Sequence, residues 1–132
     1  MRVVELPDWP RPRGYSNGVV AKGQLVFVAG QIGWDEREQV VSDDLVAQAR
    51  QALKNTLTVL AAAGARPEHV VRMTWYLTDK QEYLRRAREL GAVYREFMGK
   101  HYPAMAMVQV SALMEDRAKV EIETTAVLPE GA

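Results

Sequence analysis

Hydrophobic and polar positions alternate most regularly over residues 102–128, near the end of the chain. In the first half of this stretch a period of two puts Met105, Met107, Gln109 and Ser111 on one face and Ala104, Ala106, Val108 and Val110 on the other. After a polar turn at residues 114–117, Val120, Ile122, Thr124 and Ala126 alternate with Lys119, Glu121, Glu123 and Thr125. The pattern predicts a closing hairpin with one clean apolar face and one face carrying methionines and carboxylates.

Earlier segments follow from the same reading. Pro7, Pro10 and Pro12 interrupt residues 1–14, which are expected to form a surface lead-in. Residues 15–22 and 24–32 look like a hairpin turning at Lys22-Gly23. The run from Leu25 to Gly30 is apolar on both faces, as in a strand covered on both sides. Ser42 is a good helix N-cap, and Asp43 and Asp44 place negative charge at that end of the helix. Leu45, Ala49, Leu53, Thr56 or Leu57, Leu60 and Ala63 form its buried stripe, and Gly64 ends it. Residues 70–78 alternate as a strand. Asp79 and Glu82 form a capping-box pattern for a second helix, which carries Tyr83, Ala87, Leu90, Tyr94, Phe97 and Met98 inward and stops at Gly99. Gly91 inside that helix suggests a close packing contact, since glycine there costs about 1 kcal/mol relative to alanine.

The order ββαβαββ predicts an α+β fold, a mixed sheet with both helices on one face. The opposite face is then bare and partly apolar, which calls for a partner; an oligomer built through the sheet is the simplest.

Composition narrows the chemistry. The 132 residues fit one domain, residues 1–132. Lys plus Arg and Asp plus Glu both number 17, so the balanced charge argues against binding to nucleic acid or an anionic membrane. There is no cysteine, and the only two histidines, His69 and His101, lie far apart in sequence; neither a metal site nor a cofactor is expected. No stretch has the length of a membrane span or a signal peptide core, so a cytoplasmic protein is the default expectation.

Candidate site residues are few. Gly30-Gln31-Ile32-Gly33 is too short to cradle a dinucleotide and reads as a strand end needing close backbone approach. Glu121 and Glu123 share a strand face; a solvated edge is the plain reading, but a carboxylate beside apolar side chains can serve as acid or base. Tyr15, Ser16 and Asn17 offer hydroxyl and amide groups, or simply start a strand. Trp34 is a packing lid or a ligand platform. Met105 and Met107 read as core or interface fillers.

Several short motifs fall in a specific order: Tyr15-Ser16-Asn17-Gly18-Val19, Phe27-Val28-Ala29-Gly30-Gln31-Ile32, Ala47-Gln48-Ala49 with Asn55, Ala63-Gly64, Tyr76-Leu77-Thr78-Asp79, Pro103-Ala104, and Val120-Glu121-Ile122-Glu123 with Ala126. Together they resemble the Rid family, also called YjgF or L-PSP proteins, over essentially the whole chain. The resemblance implies a chorismate-mutase-like fold, a homotrimer with its sheets packed in the middle, and small-molecule clefts between subunits. Many family members hydrolyse enamines and imines such as 2-aminoacrylate to keto acids and ammonia. By this resemblance Glu121 and Tyr15 are the catalytic pair. Asn17, Ala29, Gly30, Gln31, Trp34, Met105 and Met107 line the cleft.

Two positions depart from the family pattern. Ala29 stands where a serine is usual, and Met105 stands where an arginine grips the substrate carboxylate. Losing a bidentate arginine implies on the order of 10² to 10⁴ in transition-state binding. Three readings follow: a hydrolase for a larger or less charged imine or enamine, with Arg13 or Arg72 as a displaced anion contact; a non-catalytic ligand-binding trimer; or a ribonuclease, which the charge balance disfavours.

Overall fold

The computed structural model describes residues 1–129. Its elements are β1 (Arg2–Val3), β2 (Val19–Val20), β3 (Gly23–Ile32), α1 (Leu45–Ala62), β4 (Val70–Leu77), α2 (Lys80–Arg85), α3 (Ala87–Met98), β5 (Ala104–Gln109) and β6 (Val120–Pro129). A single 3-10 turn, Pro67–His69, precedes β4.

The α1 stripe buries Leu45, Ala49, Leu53, Thr56 and Leu60, as the periodicity predicts, and adds Gln48 and Ala52, while Ala63, expected on the stripe, is exposed at the C-cap. Its cap is Asp44, two residues beyond the expected Ser42, because the Asp44 carboxylate accepts from Ala47 N at 3.0 Å. Ser42 Oγ instead accepts from Asp44 N, steadying the cap from one turn outside. At the other end Gly64, at φ 82°, and Ala65 close the helix with their N–H groups on the Ala61 and Leu60 carbonyls.

Asp79 caps the second helical segment as expected, accepting from Gln81 N and Glu82 N. The single helix expected from there to Gly99 is broken at Arg86, which ends α2 and begins α3. Neither glycine nor proline marks the break. It falls where the Arg86 guanidinium is held by Asp44 of the α1 cap at 2.7 Å and by Glu89 at 2.8 Å. Gly91 has no backbone packed over it; the nearest atom to a hypothetical Cβ is Arg95 Nη1, at 3.3 Å.

The main sheet runs β3-β6-β4-β5, with β3, β6 and β4 antiparallel in sequence across the sheet and β5 parallel to β4. The expected closing hairpin is therefore absent. The α2–α3 crossover returns the chain beside β4 as a parallel strand, the usual product of a β-helix-β connection. β6 then takes the opposite side of β4 and becomes central. The N-terminal hairpin is also replaced: β2 pairs with β1 in a separate two-stranded sheet. Gly23 serves a different need, since a Cβ there would lie 1.8 Å from the Leu128 carbonyl oxygen on β6.

Cross-strand partners share a face. Met73, Trp75 and Leu77 of β4 face the helices with Val120, Ile122, Thr124 and Ala126 of β6 and Val28 of β3, and they form the core with α1 and α3. The opposite face carries Arg72, Thr74 and Tyr76 with Glu121, Glu123 and Thr125, and extends to Leu25 and Phe27. Phe27 is 72% exposed and Leu25 57%, so β3 is covered on one side only. No helix among the described residues is long and apolar enough to cross a membrane.

Candidate functional site

Register in the sheet separates the residues that the sequence pattern had grouped. Met105 pairs with Met73 and Met107 with Trp75, so both methionines point to the helix side. Glu121 pairs with Tyr76, and Glu123 with Thr74, on the bare side. Methionines and carboxylates do not share a face. They also lie two strands apart, about 10 Å across the sheet, because β4 stands between β5 and β6.

Around Glu121 the site is built from β3, β6 and α1. β3 bulges between Val28 and Gln31, placing Ala29 and Gly30 out of regular register. A Cβ on Gly30 would sit 2.5 Å from Glu121 Oε2 and 2.8 Å from its Cδ, so the carboxylate rests directly on bare glycine backbone. Gln31 Nε2 donates to the Ala29 carbonyl at 3.1 Å, folding the bulge onto itself. Beyond it, Gly33 lies against α1, where a Cβ would meet Gln48 Cα at 2.5 Å. Asn55 on α1 donates to the carbonyls of Ile32 and Trp34 at 3.2 and 2.8 Å, so Trp34 is pinned by its backbone beside the same helix.

Gln48 is fully buried and ties the start of β6 to this region. Its Nε2 donates to the Ser42 and Arg117 carbonyls at 2.8 and 3.0 Å, and its Oε1 accepts from Lys119 N at 2.8 Å. Sequence reading assigned no role to Gln48, Asn55 or Tyr76. A signal existed for Gln48, which falls on the apolar stripe of α1 between Leu45 and Ala52, where a polar side chain needs partners. On the bare face Tyr76 Oη donates to Glu123 Oε1 at 3.2 Å; that hydrogen bond and the Glu123 charge raise the phenol above its ordinary value.

Tyr15 and Asn17 sit at the other edge of the sheet. Ser16 bridges to Ala104 in parallel; its N–H donates to the Pro103 carbonyl at 2.9 Å and its hydroxyl to the Tyr102 carbonyl. Tyr15, half-exposed, and Asn17 line a cavity of about 540 Å³ together with Trp9, Arg11, Lys100 and His101. Met105 lines a second cavity, about 210 Å³, with Trp75, Tyr83, Leu90, Tyr94 and Tyr102. Tyr94 and Tyr102 stack there at 5.5 Å, and Tyr94 Oη donates to the His101 carbonyl at 2.7 Å. Burial, and then the neighbouring Tyr102, push the Tyr94 phenol upward. Met107 is partly exposed further along β5.

Neither cavity includes Glu121. Within one chain Arg72 lies on the face away from the Met105 cavity, and Arg13 lines neither cavity. Among the described residues no group of His, Asp and Glu could hold a metal ion.

The mixed sheet with its helices on one face defines a chorismate-mutase-like α+β protein. The sequence model of the family described as endoribonuclease L-PSP matches residues 10–128. The solved Yersinia pestis protein YyfB, described as a protein of unknown function of the conserved Rid family, superposes with a TM-score of 0.85 at 32% identity, covering 96% of this chain and 98% of that one. RutC family protein PH0854 of Pyrococcus horikoshii is 35% identical over 125 residues, 94% of this chain and 95% of that protein. The human protein named 2-iminobutanoate/2-iminopropanoate deaminase is 32% identical over 127 residues, 96% and 89% of the two chains. The chain belongs to the Rid (YjgF, L-PSP) family.

Proposed function

We propose that this chain is a cofactor-independent imine or enamine deaminase whose site is completed only when copies assemble through their bare sheet faces, as a homotrimer. The supporting observation is the contact between Glu121 and Gly30, which holds a carboxylate over exposed backbone beside the β3 bulge. Deaminase names among relatives matched over 89% and 80% of their length support the reaction class.

The chemistry is hydrolysis of a C=N bond. Glu121 accepts a proton from water as the water oxygen bonds to the imine carbon, and the π electrons move to nitrogen, which takes a proton from solvent. Glu121 then passes its proton to nitrogen; as the C–N bond breaks, the carbinol hydroxyl returns its proton to solvent, releasing ammonia and leaving a carbonyl. Backbone groups of Ala29, Gly30 and Gln31 orient the substrate. Tyr15 and Asn17 come from the opposite edge of an adjoining sheet, with Trp34 closing the cleft. Assembly is required in this reading because β4 separates the two groups within one chain. A cytoplasmic location fits such housekeeping chemistry.

Met105 favours a second reading, a trimer that binds a small molecule without turning it over, because methionine offers neither charge nor donor. Ribonuclease chemistry finds less support. Charge is balanced, and both histidines engage backbone: His69 Nδ1 accepts from Arg66 N, and His101 lies 2.6 Å from the Val70 carbonyl.

The test is to generate a panel of 2-imino acids in situ, from small to aromatic, and follow keto-acid formation against a semicarbazide trap. Acceleration that disappears in Glu121→Gln, with the oligomer retained, supports the deaminase. Binding with no acceleration across the panel selects the second reading.

A further inference from the structure

The two carboxylates of the bare face diverge. Glu121 and Glu123 leave the same side of β6 about 7 Å apart, two residues of extended chain. Glu121 is half-buried and leans over β3, where its Oε2 rests on Gly30. Glu123 is exposed and turns the other way, to the Tyr76 hydroxyl on β4 at 3.2 Å. The proposed hydrolysis uses one of these groups and gives no reason for the different postures of the two.

Tyr76 accounts for both. It is the direct cross-strand partner of Glu121, and side chains so paired start about 5 Å apart. Its ring therefore occupies the β4 side of Glu121, while glycine at position 30 leaves β3 as the open side. From there the phenol reaches diagonally to Glu123, whose direct partner is Thr74. Arg72, paired with Thr125, brings a cation to the same face, and β3 contributes Phe27 there.

The hydroxyl holds its proton. Its hydrogen bond to Glu123 and that residue's charge, then partial desolvation and Glu121, raise the phenol above its ordinary value, with Arg72 opposing. A phenol kept protonated is a donor to a carboxylate and a poor acid towards an imine nitrogen.

We propose that Tyr76 is a positioning residue for the deaminase site: its ring confines Glu121 to the Gly30 side, and its hydroxyl draws Glu123 away, leaving Glu121 free to meet water and substrate. The effect on turnover rests on the deaminase reading; the confinement of Glu121 does not. Like charges two residues apart on one strand repel, and tethering one to the next strand takes it out of the other's reach.

The experiment compares Tyr76→Phe, Tyr76→Val, Glu123→Gln and Glu123→Ala, with sedimentation and circular dichroism checking that each variant folds and assembles. Tyr76→Phe keeps the ring, so it carries the test should the valine variant fail to fold. With a 2-imino acid generated in situ, kcat should fall about tenfold in Tyr76→Phe and in Glu123→Ala, at nearly unchanged KM. The double variant should fall no further, as expected of two residues acting through one bond. Glu123→Gln, whose amide oxygen still accepts from the phenol, should keep nearly the parent rate. Crystal structures should show Glu123 released from β4 in Tyr76→Phe, and Glu121 moved from Gly30 towards β4 in Tyr76→Val. Additive losses in the double variant, equal losses in Glu123→Gln and Glu123→Ala, or carboxylates unmoved in both Tyr76 variants overturn the proposal. Turnover abolished in Glu121→Gln but indifferent to every change at positions 76 and 123 leaves the deaminase standing and removes this proposal. A parent protein without turnover whose carboxylates move as expected does the reverse.

Discussion

Glu121 lies on Gly30 so closely that a single added methyl group would fall 2.5 Å from its Oε2. The carboxylate position is thus set by the absence of a side chain on the neighbouring strand. Gly30→Ala should displace Glu121 without straining the backbone, since Gly30 is not among the positive-φ residues. If Glu121 moves the proton, deaminase turnover in Gly30→Ala should drop towards that of Glu121→Gln, a loss on the order of 10²-fold. Steady-state kinetics beside a thermal melt separates this from unfolding.

Gln48 links α1 to residue 42 and to residues 117 and 119 through three hydrogen bonds in a fully buried position. Gln48→Ala strands two carbonyls and one N–H and opens a void. A destabilisation of about 2–4 kcal/mol is expected, read from urea unfolding. Because the Lys119 N–H it holds is two residues before Glu121, kcat should fall in the same variant.

Arg86 gives the fold an acid-sensitive joint. Its hydrogen bond to Asp44, helped by Ala47 N–H, holds that carboxyl below its ordinary 3.8, and Arg86 likewise lowers Glu89 from 4.5. Both groups bind protons more readily when unfolded, so their contribution is fully present above about pH 5 and is lost as pH falls through the lowered folded values. Arg86→Met should flatten the decline of the melting temperature between pH 5 and pH 3, with little effect on its shape above pH 6. A decline as steep as in the parent protein would contradict this.

Phe27 and Leu25 stand exposed on the sheet face that the helices leave bare. A charge at position 27 should prevent sheet-to-sheet packing. Phe27→Asp is expected to sediment as a monomer with near-native circular dichroism, and to lose turnover if the site is completed across subunits. A monomeric variant that keeps full activity would show that one chain suffices.

Much of the candidate site was legible as residue types, and little of it as geometry. Glu121, Gly30 and Tyr15 were identifiable from motifs that read locally. Their grouping with Met105 was not, because alternation tells which residues of one strand share a face but not which strand lies beside it. Arg72 and Met105 project from opposite faces of the sheet within one chain, a relationship that neither residue's local sequence reveals.

By itself the sequence determined what short-range physics controls. The α1 stripe, the Asp79 cap, the Gly64 and Gly99 stops and the alternation within β4, β5 and β6 all follow from propensities and periods that act over a few residues. The family followed from motif order. Only the tertiary structure decided the strand neighbours, because β5 is returned beside β4 by a helical crossover and β6 fills the remaining side, a long-range choice with no local signal. That choice sets Met105 and Glu121 on opposite faces of one sheet.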